Sequence, residues 1–469
     1  MSNSSPARLT VCLLLEGTYP FVRGGVSSWT HQLIRALPDI DFFLYTLSPE
    51  PDQTAAYELP DNVIGMQDLL LRTDTNATGT APPGTVSAVL SLLSMLSRND
   101  VEVPAELLRE LSGVANMSTR LVRSREFWND LVRQYLERNP YYPFSEFFWT
   151  WFNSRAVLLT LLESTIPKAD IYHSLCTGYA GFAATMAKAV HRKPYMLTEH
   201  GIYHRERSIE VEASDALRGR HRDEWRNFFF GLSRLSYHSA DRIITLFEAN
   251  HRMELAMGAP PQKSVIIPNG IDVQRFSAVR RQPRPGFHVG LVGRVVPIKD
   301  IKTFISVARI ITDHIPESRF YCVGPTEEDP LYFSECRQLV ESLGLSENFV
   351  FTGNQDVREY YAFLDVVMLT SLSEAQPLVI LEAFAVGVPV VSTRVGDVPA
   401  LLAHDYRYIA PPKDAQGLAE RTIAIHEDPE GTAAWVEERK ATVYREYNRD
   451  AVFQQYRDEY WRIHSQWQE

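Results

Sequence analysis

The sequence is poor in cysteine and has no long hydrophobic run, and both absences narrow the kinds of protein it can be. Its 4 cysteines are widely spaced and form no C-x-x-C pair, which favours buried thiols in a reducing compartment over disulfides. No uninterrupted apolar segment reaches the roughly 18 residues of a membrane helix. The first apolar run, residues 9–15, passes directly into Glu16 and Gly17, unlike a secretory signal. We therefore expect a cytoplasmic protein.

The excess of positive charge that broad nucleic-acid binding requires is also missing. The 469-residue chain has a formal net charge of −11 and an ordinary globular composition, with enough apolar residues for two large domains. One stretch departs from this balance, because seven Lys or Arg and a single acid, Asp300, lie between Arg275 and Lys302. In an acidic protein, such a stretch favours a small anion as ligand over a polyanion.

Short apolar runs recur along both halves of the chain at the spacing of alternating strands and helices. Continuous apolar runs are typical of parallel strands that are buried on both faces. In the first half, the predicted strands cover residues 9–15, 42–47, 171–174, 195–198, 242–246 and 265–267. In the second half, they cover residues 287–292, 319–323, 349–352, 366–370 and 388–392. The sequence therefore predicts an α/β fold of two Rossmann-like, doubly wound domains.

Changes in composition divide the chain. A linker containing proline and glycine follows residue 276, so we predict an N-terminal domain over residues 1–276 and a C-terminal domain over residues 277–450. A final aromatic helix over residues 451–469 is expected to fold back onto the first domain. Helical patterns joined by polar loops replace the α/β alternation between about residues 50 and 150, which predicts a helical insertion. We expect its aromatic cluster at residues 147–152 to form core rather than a platform for a sugar.

One candidate ligand site follows the first strand of the C-terminal domain. That strand ends in a glycine, Gly293, and the loop after it presents Arg294 and Lys299. In open α/β sheets, ligands bind beyond the carboxyl ends of the strands. A guanidinium fork and an ammonium group at that edge suit a diphosphate, although the two residues alone are more typical of a solvated surface loop.

Two glutamates lie around the start of a predicted helix in the same domain. Pro377 suits the first turn and Gly387 suits the C-terminal end of this helix. Glu374 is therefore expected in the loop ahead of the helix, and Glu382 within it. Most neighbours of Glu382 are apolar, so its carboxylate is costly to bury unless it meets a polar ligand or partner. Together the two carboxylates could bind hydroxyls of a sugar and a ribose, while the helix N-terminus favours a phosphate.

Two motifs in the first half are weaker signals. His200 directly follows a predicted strand, within the sequence Glu199-His200-Gly201, and a lone histidine there is usually structural. Gly24 and Gly25 follow the first strand, where paired glycines allow a backbone to approach an anion closely. A plain turn fits these glycines equally well.

Taken together and in this order, the motifs resemble those of retaining glycosyltransferase family 4. They are the paired glycines, Glu-His-Gly, Gly-Arg with a lysine five residues later, and Glu-x7-Glu, and they span most of the chain in register with its two α/β halves. The segments at residues 14–29 and 373–378, together with the helical insertion, look like the PelF branch of this family. Members of that branch serve bacterial Pel-type exopolysaccharide synthesis.

The resemblance implies a GT-B fold, in which two Rossmann-like domains face a cleft and the C-terminal domain holds most of the donor. It implies that Arg294 and Lys299 neutralise the leaving diphosphate. It also places Glu374 at the hydroxyls of the donor sugar and His200 near the transferred sugar. Further substrate contacts are implied for the ribose diol, the base and the backbone donors of the first loop. The residues implied for these contacts are Gly24, Gly25, Gly353, Asn354, Leu378 and Glu382.

By the same resemblance, the protein transfers a hexose from a UDP-sugar, expected to be UDP-glucose, with retention of configuration. The implied partners are this nucleotide-sugar donor, a saccharide acceptor and an inner-membrane exopolysaccharide synthase complex, which would hold the cytoplasmic protein peripherally at the membrane. Nucleic acid is not expected as a partner.

Neither a cofactor nor a metal ion is expected. Arginine and lysine can supply the charge that a departing diphosphate needs. The only acid pair of D-x-D form, Asp39-Ile40-Asp41, precedes an early strand and is interpreted as part of a turn. Two positions depart from the family pattern, because Ala375 and Ala400 stand where many members have glycine and glutamate. These departures leave the contacts to the sugar unassigned, but they do not affect the assignment of the phosphate site.

Other α/β classes fit the sequence less well. A nicotinamide-dependent oxidoreductase would carry G-x-G-x-x-G after its first strand, where this chain has Glu-Gly-Thr-Tyr-Pro at residues 16–20. A GT-B phosphorylase would need a pyridoxal-phosphate lysine and a longer chain. A closer alternative is a catalytically silent GT-B protein that binds a nucleotide sugar or scaffolds a polysaccharide synthase.

Overall fold

The computed structural model describes residues 8–71, 84–138, 143–214, 217 and 219–468 of the chain. Contacts divide these residues into two units. Unit 1 runs to Ile267 and also includes the residues from Gln455 onward, and unit 2 is Pro268–Gln454. Each unit is built on its own parallel β-sheet, with helices packed against it.

The sheet of unit 1 is formed largely by the predicted apolar runs. In chain order, its strands are β1 (Leu9–Glu16), β2 (Ile40–Ser48), β3 (Val63–Leu70), β4 (Ile171–Ser174), β5 (Tyr195–Glu199), β6 (Arg242–Thr245) and β7 (Ser264–Ile266). They pair in parallel in the order β3-β2-β1-β4-β5-β6-β7. The direction of winding changes between β1 and β4, and such a switch point is where open α/β sheets bind ligands.

The helices of unit 1 include the predicted insertion. They are α1 (Gly25–Ala36), α2 (Thr85–Ser97), α3 (Ala105–Leu111), α4 (Met117–Val122), α5 (Arg125–Arg138), α6 (Phe144–Glu163), α7 (Tyr179–His191), α8 (Tyr203–Ala213), α9 (Arg220–Ser239) and α10 (Glu248–Ala256). Helices α2 to α6 occupy the insertion and share one hydrophobic cluster with α7, α9 and the sheet. Trp151 and Phe152 of the aromatic cluster are buried in this core, as predicted, whereas Trp149 is exposed.

The prediction of a helical insertion from about residue 50 to 150 was wrong at its start. Strand β3 lies within it, at the edge of the sheet, and pairs in parallel with β2. Every second residue of its first half is exposed, so the strand lacks the continuous apolar pattern of its buried neighbours. The ring of Phe43 packs over Gly65, where a Cβ would lie only 2.6 Å from a ring carbon. An edge strand of this kind has a weak sequence signal.

Unit 2 repeats the architecture with a smaller sheet. Its strands are β8 (Phe287–Val292), β9 (Ser318–Val323), β10 (Phe349–Gly353), β11 (Val366–Leu369), β12 (Val390–Thr393) and β13 (Ile409–Ala410). They pair in parallel in the order β10-β9-β8-β11-β12-β13, so the switch point of this sheet lies between β8 and β11. The helices that begin in this unit are α11 (Val273–Ser277), α12 (Ile301–His314), α13 (Pro330–Ser342), α14 (Val357–Tyr361), α15 (Leu378–Val386), α16 (Val398–Leu401), α17 (Ala415–Glu427), α18 (Pro429–Glu446) and α19 (Arg449–Gln466).

The division between the units falls at residues 267/268 rather than at the predicted 276/277. The backbone of Ile271 explains the difference, because its N–H donates to the carbonyl of Tyr447 and its carbonyl accepts from the N–H of Arg449, both at 2.9 Å. Val273 and Phe276 are buried in the core of unit 2. The nine residues before position 277 therefore begin the second unit instead of closing the first.

Helix α19 starts in unit 2 and ends in unit 1, which includes the chain from Gln455 onward. Tyr456 and Tyr460 are completely buried there. The hydroxyl of Tyr460 lies 2.7 Å from Nδ1 of His173, and Nε2 of the same ring lies 2.9 Å from Oγ1 of Thr198. The fully buried histidine thus links the C-terminal helix to two strands of the sheet.

The four cysteines are free thiols, and three of them are buried. Within the described ranges, every helix is too short or too polar to cross a bilayer.

Candidate functional site

Three glycines fix the loops at the carboxyl edge of the sheet in unit 2. Gly293 follows β8, Gly324 follows β9, and Gly353 ends β10. Gly324 has a φ of +154°, and a Cβ there would lie 2.1 Å from the carbonyl oxygen of Gly293. Its N–H donates to the carbonyl of Gly353 at 3.0 Å. The loop after β8, which carries Arg294, is therefore held in backbone contact with the loop after β9. Asn354, which follows β10, is exposed at the same edge of the sheet.

The structure brings two of the predicted residues, Lys299 and Glu374, into direct contact. Lys299 ends a short 3₁₀ helix after β8, and Glu374 lies in the loop after β11. Nζ of Lys299 donates to Oε1 of Glu374 at 2.6 Å, and Oγ of Ser371 donates to the same oxygen at 2.6 Å. The side chains of Lys299 and Glu374 are only 19% and 14% exposed. The ion pair therefore bridges the switch point between β8 and β11.

Backbone contacts hold both sides of this ion pair. Oγ1 of Thr370, at the end of β11, donates to the carbonyl of Lys299 at 2.8 Å. The N–H of Leu372 donates to the carbonyl of Ile298 at 2.8 Å. The loops after β8 and β11 are thus joined along their length, which fixes where the ammonium and carboxylate meet.

Helix α15 begins directly after the Glu374 loop. Pro377 is its N-cap rather than part of its first turn, and Leu378, its first residue, is partly exposed. Gly387 ends the helix with a φ of +88°, as predicted. Glu382 lies on this helix and accepts a hydrogen bond from the hydroxyl of Tyr361 at 3.0 Å. Burial raises the pKa of Glu382, and the hydrogen bond from Tyr361 opposes this shift.

Arg294 has a different environment from Lys299. Its side chain is 53% exposed and forms an ion pair with Glu328, 2.5 Å from NH1 to Oε1. An exposed pair of this type contributes little to stability, so the guanidinium can change partners at small cost. The structure therefore groups Lys299 with Glu374, while Arg294 lies on the neighbouring surface of the same loop.

In unit 1, His200 follows β5 as expected and lies in an enclosed setting. Its ring packs edge-on against Trp29 of α1, with 4.6 Å between ring centroids. Burial lowers the pKa of the His200 imidazole to about 4. The ring is therefore neutral near pH 7 and can donate and accept hydrogen bonds without carrying a charge.

The paired glycines lie at the start of the helix that carries Trp29. Gly24 is its N-cap and Gly25 its first residue, so the expectation that Ser27 or Ser28 caps this helix was wrong. Gly24 has a φ of −179°, an extended conformation that any residue adopts, and no side chain caps the helix. Among the described residues, no atom lies within 4 Å of a Cβ placed at either glycine. A side chain at either position would therefore enter open space.

Sequence reasoning missed the role of Glu199, which directly precedes His200. This carboxylate is fully buried and accepts hydrogen bonds from the N–H of Tyr203 at 2.9 Å, from Oγ1 of Thr177 at 3.2 Å and from the hydroxyl of Tyr237. It thereby fixes both ends of the turn that contains His200. A glutamate at the end of an otherwise apolar strand was the available signal.

A second buried glutamate, Glu254 on α10, lies close to Glu199. Burial raises the pKa of Glu199 to about 7. Burial and the neighbouring Glu199 raise the pKa of Glu254 to about 8. The pair therefore holds at least one proton near neutral pH.

Glu16 at the end of β1 was also overlooked. Its Oε2 accepts from the N–H of Tyr179 at 2.9 Å, at the start of α7, where a carboxylate is favoured by the helix dipole. Its Oε1 accepts from the hydroxyl of Tyr203 at 2.7 Å. The end of β1 is thereby tied to α7 and α8, the helices that follow β4 and β5 across the switch point of unit 1.

The D-x-D acids are occupied by ion pairs in unit 1. Asp41 pairs with Arg8 at 3.0 Å, and Asp39 pairs with Arg457 at 2.7 Å. In the part of the chain that the structure describes, no group of three or more His, Cys, Asp or Glu side chains is arranged to hold a metal ion.

Comparisons with known proteins cover both units. Residues 9–262 match the family model described as a domain of unknown function, DUF3492, and residues 286–428 match that of glycosyl transferases group 1. The chain is 30% identical over 178 residues to N-acetyl-alpha-D-glucosaminyl L-malate synthase of Bacillus anthracis, which covers 38% of this chain and 45% of that protein. It is 25% identical over 288 residues to the putative teichuronic acid biosynthesis glycosyltransferase TuaC of Bacillus subtilis (strain 168), covering 58% of this chain and 66% of TuaC. The chain spans about half the length of the curated relatives it matches.

Solved structures extend the comparison to the whole fold. Anabaena Alr3699/HepE, in complex with UDP, has a TM-score of 0.62 at 16% identity and covers 96% of this chain and 99% of its own. The same protein in complex with UDP-glucose has a TM-score of 0.59, also at 16% identity, with coverage of 96% and 99%. At this identity the likeness establishes the fold. It confirms the prediction of two Rossmann-like, parallel-sheet domains of the GT-B type.

Proposed function

Because the chain belongs to the DUF3492 family and its residues 286–428 match the group 1 glycosyl transferases, we propose that it is a retaining, metal-independent glycosyltransferase that uses a UDP-sugar. The observation that carries this proposal is the contact between Lys299 and Glu374, 2.6 Å apart across the switch point between β8 and β11. At this point of an open α/β sheet a ligand is expected. The two side chains offer one cation for a phosphate and one anion for sugar hydroxyls.

The reaction breaks the bond between an anomeric carbon and a diphosphate oxygen. Negative charge grows on the leaving group, and fixed cations beside it stabilise the transition state. Lys299 is held by its neighbours and supplies one such cation. Arg294 supplies the second by exchanging the exposed carboxylate of Glu328 for the diphosphate. Once Lys299 turns to phosphate, the carboxylate of Glu374 is released to accept hydrogen bonds from the donor sugar.

The remaining donor contacts are assigned along the same edge of the sheet. Glu382 binds the ribose diol, and Gly353 with Asn354 borders the base. Leu378 lies at the start of α15, whose N-terminal N–H groups favour a phosphate. UDP-glucose is the donor we favour, which the complexes of Alr3699/HepE with UDP and UDP-glucose support.

For unit 1, we propose three substrate contacts that the family resemblance implies. His200 is neutral and therefore acts as a hydrogen-bond partner of the transferred sugar rather than as a cation. Gly24 and Gly25 are proposed to offer backbone N–H groups to the substrate, and the space beside their Cα atoms is open. Retention then follows from attack on the face that the diphosphate leaves, with the departing phosphate accepting the acceptor's proton. Metal is dispensable in this scheme because lysine and arginine carry the positive charge.

For the acceptor, we propose a growing saccharide of exopolysaccharide synthesis, as in the PelF-like branch. The names of several relatives, among them glycosyltransferases of teichuronic and colanic acid biosynthesis, support a polysaccharide product. The protein would then act in the cytoplasm, peripherally at the inner membrane through a synthase complex. A catalytically silent scaffold is the less favoured alternative, because the relatives named above are enzymes.

A binding and turnover screen tests the proposal. UDP, GDP and ADP are titrated calorimetrically against the protein, followed by UDP-glucose, UDP-galactose and UDP-N-acetylglucosamine. We expect UDP to bind more tightly than GDP or ADP, and release of UDP from one UDP-sugar in a coupled assay. Tight UDP binding without hydrolysis or transfer to any saccharide acceptor would support the scaffold instead. Failure of every nucleotide to bind would contradict both.

A further inference from the structure

A buried polar pair stands directly behind the Glu374 loop. Gln376 and Asp397 are 7% and 5% exposed. Nε2 of Gln376 donates to Oδ2 of Asp397 at 2.7 Å. Oε1 of the same amide accepts from the backbone N–H of Asn269 at 2.7 Å. Both polar atoms of the Gln376 amide therefore form hydrogen bonds within unit 2.

The conformation of Asp397 indicates that the pair is built for this contact. Asp397 is the N-cap of the short helix α16, a position where aspartate normally accepts a hydrogen bond from the N–H groups of the first turn. Here its side chain makes no capping bond. The carboxylate is instead directed to Gln376, although a buried carboxylate with a neutral donor is costly. The Asp397 carboxylate therefore joins the loop after β12 to the Glu374 loop instead of capping α16.

Backbone contacts connect this pair to Glu374. The N–H of Asp397 donates to the carbonyl of Ala375 at 2.9 Å. Gly396 has a φ of +49°, and a Cβ there would lie 2.1 Å from the carbonyl oxygen of Glu374. The loop after β12 therefore touches the backbone of Glu374 on one side, while Lys299 and Ser371 hold its carboxylate on the other.

We infer that Gln376 and Asp397 are positioning residues that hold the Glu374 carboxylate in place for the donor sugar. The role in sugar binding rests on the proposed function. The order of the Glu374 loop, in contrast, is a property of the free protein. The loop between Ser371 and Pro377 contains no regular structure, so its order depends on these contacts. Loss of the pair leaves Glu374 able to form its ion pair but no longer fixed for sugar hydroxyls.

The test compares Gln376→Ala, Asp397→Ala and Asp397→Asn with the wild-type protein. Asparagine keeps an oxygen that accepts the Gln376 hydrogen bond, so Asp397→Asn should behave like wild type. Asp405→Ala is the matched control, because Asp405 lies in the same unit and its carboxylate contacts Arg407 instead. Hydrogen exchange of the free proteins, followed by mass spectrometry, reports on the loop whether or not a sugar is transferred. We expect peptides covering residues 371–377 to exchange about tenfold faster in the two alanine variants, the size of one lost hydrogen bond.

The kinetic arm separates positioning from a merely structural role. In the alanine variants, we expect kcat for UDP-sugar turnover to fall about tenfold while the Kd for UDP stays within twofold of wild type. Unchanged exchange in the loop would overturn the inference. So would a loss of UDP affinity and thermal stability in proportion to the loss of kcat. Faster exchange in the loop of a protein that turns over no UDP-sugar would support the positioning contacts and contradict the proposed function alone.

Discussion

Nζ of Lys299 lies 2.6 Å from Oε1 of Glu374, although 75 residues separate them in the chain. Strands β8 and β11 are neighbours in the sheet, so the loops that follow them meet at its carboxyl edge. In the free protein the two charges neutralise each other. A bound diphosphate would replace the carboxylate beside the ammonium, which couples recognition of the leaving group to release of Glu374. The ion pair is therefore a resting arrangement for the proposed chemistry as well as a structural contact.

Replacing Lys299 tests the proposed role of this cation. Lys299→Ala should lower kcat by about 10²–10³, as when one fixed donor to a developing anion is removed. The melting temperature should also fall, because Glu374 is only 14% exposed and loses its charged partner, but the protein should stay folded at the assay temperature. Lys302→Ala serves as control, since Lys302 forms a comparable but exposed pair with Glu335 at 2.8 Å. Equal activity of both variants would remove Lys299 from the site.

Substitution of the two glutamates of Glu-x7-Glu should affect ligand binding in different ways. Glu382→Gln should weaken UDP binding about tenfold, because the ribose loses a charged hydrogen-bond acceptor. Glu374→Gln should bind UDP at least as tightly as wild type, because Lys299 no longer exchanges a carboxylate for the diphosphate, and should bind UDP-sugar more weakly relative to UDP. Isothermal titration of both ligands measures the two effects, with Glu359→Gln as an exposed control in the same unit. An unchanged Kd for UDP in Glu382→Gln, together with a lower melting temperature, would assign Glu382 to the contact with Tyr361 alone.

The buried strands and the carboxyl-edge motifs were predictable because burial on both faces leaves a continuous apolar pattern. Strand β8, for example, has the predicted bounds, and Lys299 follows it as expected. Strand β3 was missed because one of its faces is exposed at the sheet edge. Helix α1 begins earlier than predicted because Gly24, which has no capping side chain, starts it. For β3 the missing information was tertiary, whereas for α1 a glycine N-cap was passed over in favour of a serine.

Partners of the site residues were harder to predict than the residues themselves. The sequence motifs identify Glu374 and His200 but not the residues that support them. Asp397 accepts a hydrogen bond from Gln376 in the Glu374 loop, and Glu254 on α10 lies close to Glu199, which precedes His200. Such pairs depend on strand order and on the register of loops. They become visible only when the sheet is assembled.

A chelator experiment tests whether the proposed transfer needs a metal. Activity should stay within about twofold of its starting value in EDTA, because fixed cations rather than a bound metal are proposed to stabilise the leaving group. The initial rate of UDP release is measured before and after dialysis against EDTA, and again with magnesium or manganese added. Complete loss in EDTA that either metal restores would contradict the metal-independent scheme.

The buried carboxyl of Glu254 should make stability depend on pH. Its pKa in the folded protein is about 8, above the ordinary value of 4.5. A raised folded pKa means that the folded state binds more protons than the unfolded state between these values. The free energy of unfolding therefore falls as pH rises from about 5 to 8, with a slope of at most about 1.4 kcal/mol per pH unit for one proton.

Glu254→Gln removes this titration, because an amide of the same shape stays neutral. Relative to wild type, the variant should gain stability at pH 8 compared with pH 5, as measured by urea unfolding at both values. Glu248→Gln on the same helix is the matched control, since the side chain of Glu248 is 53% exposed. Its stability should follow the wild-type pH dependence. If the Glu254→Gln and wild-type curves run parallel from pH 5 to 8, then Glu254 is already ionised in the folded protein, and the buried acid pair with Glu199 carries no shared proton.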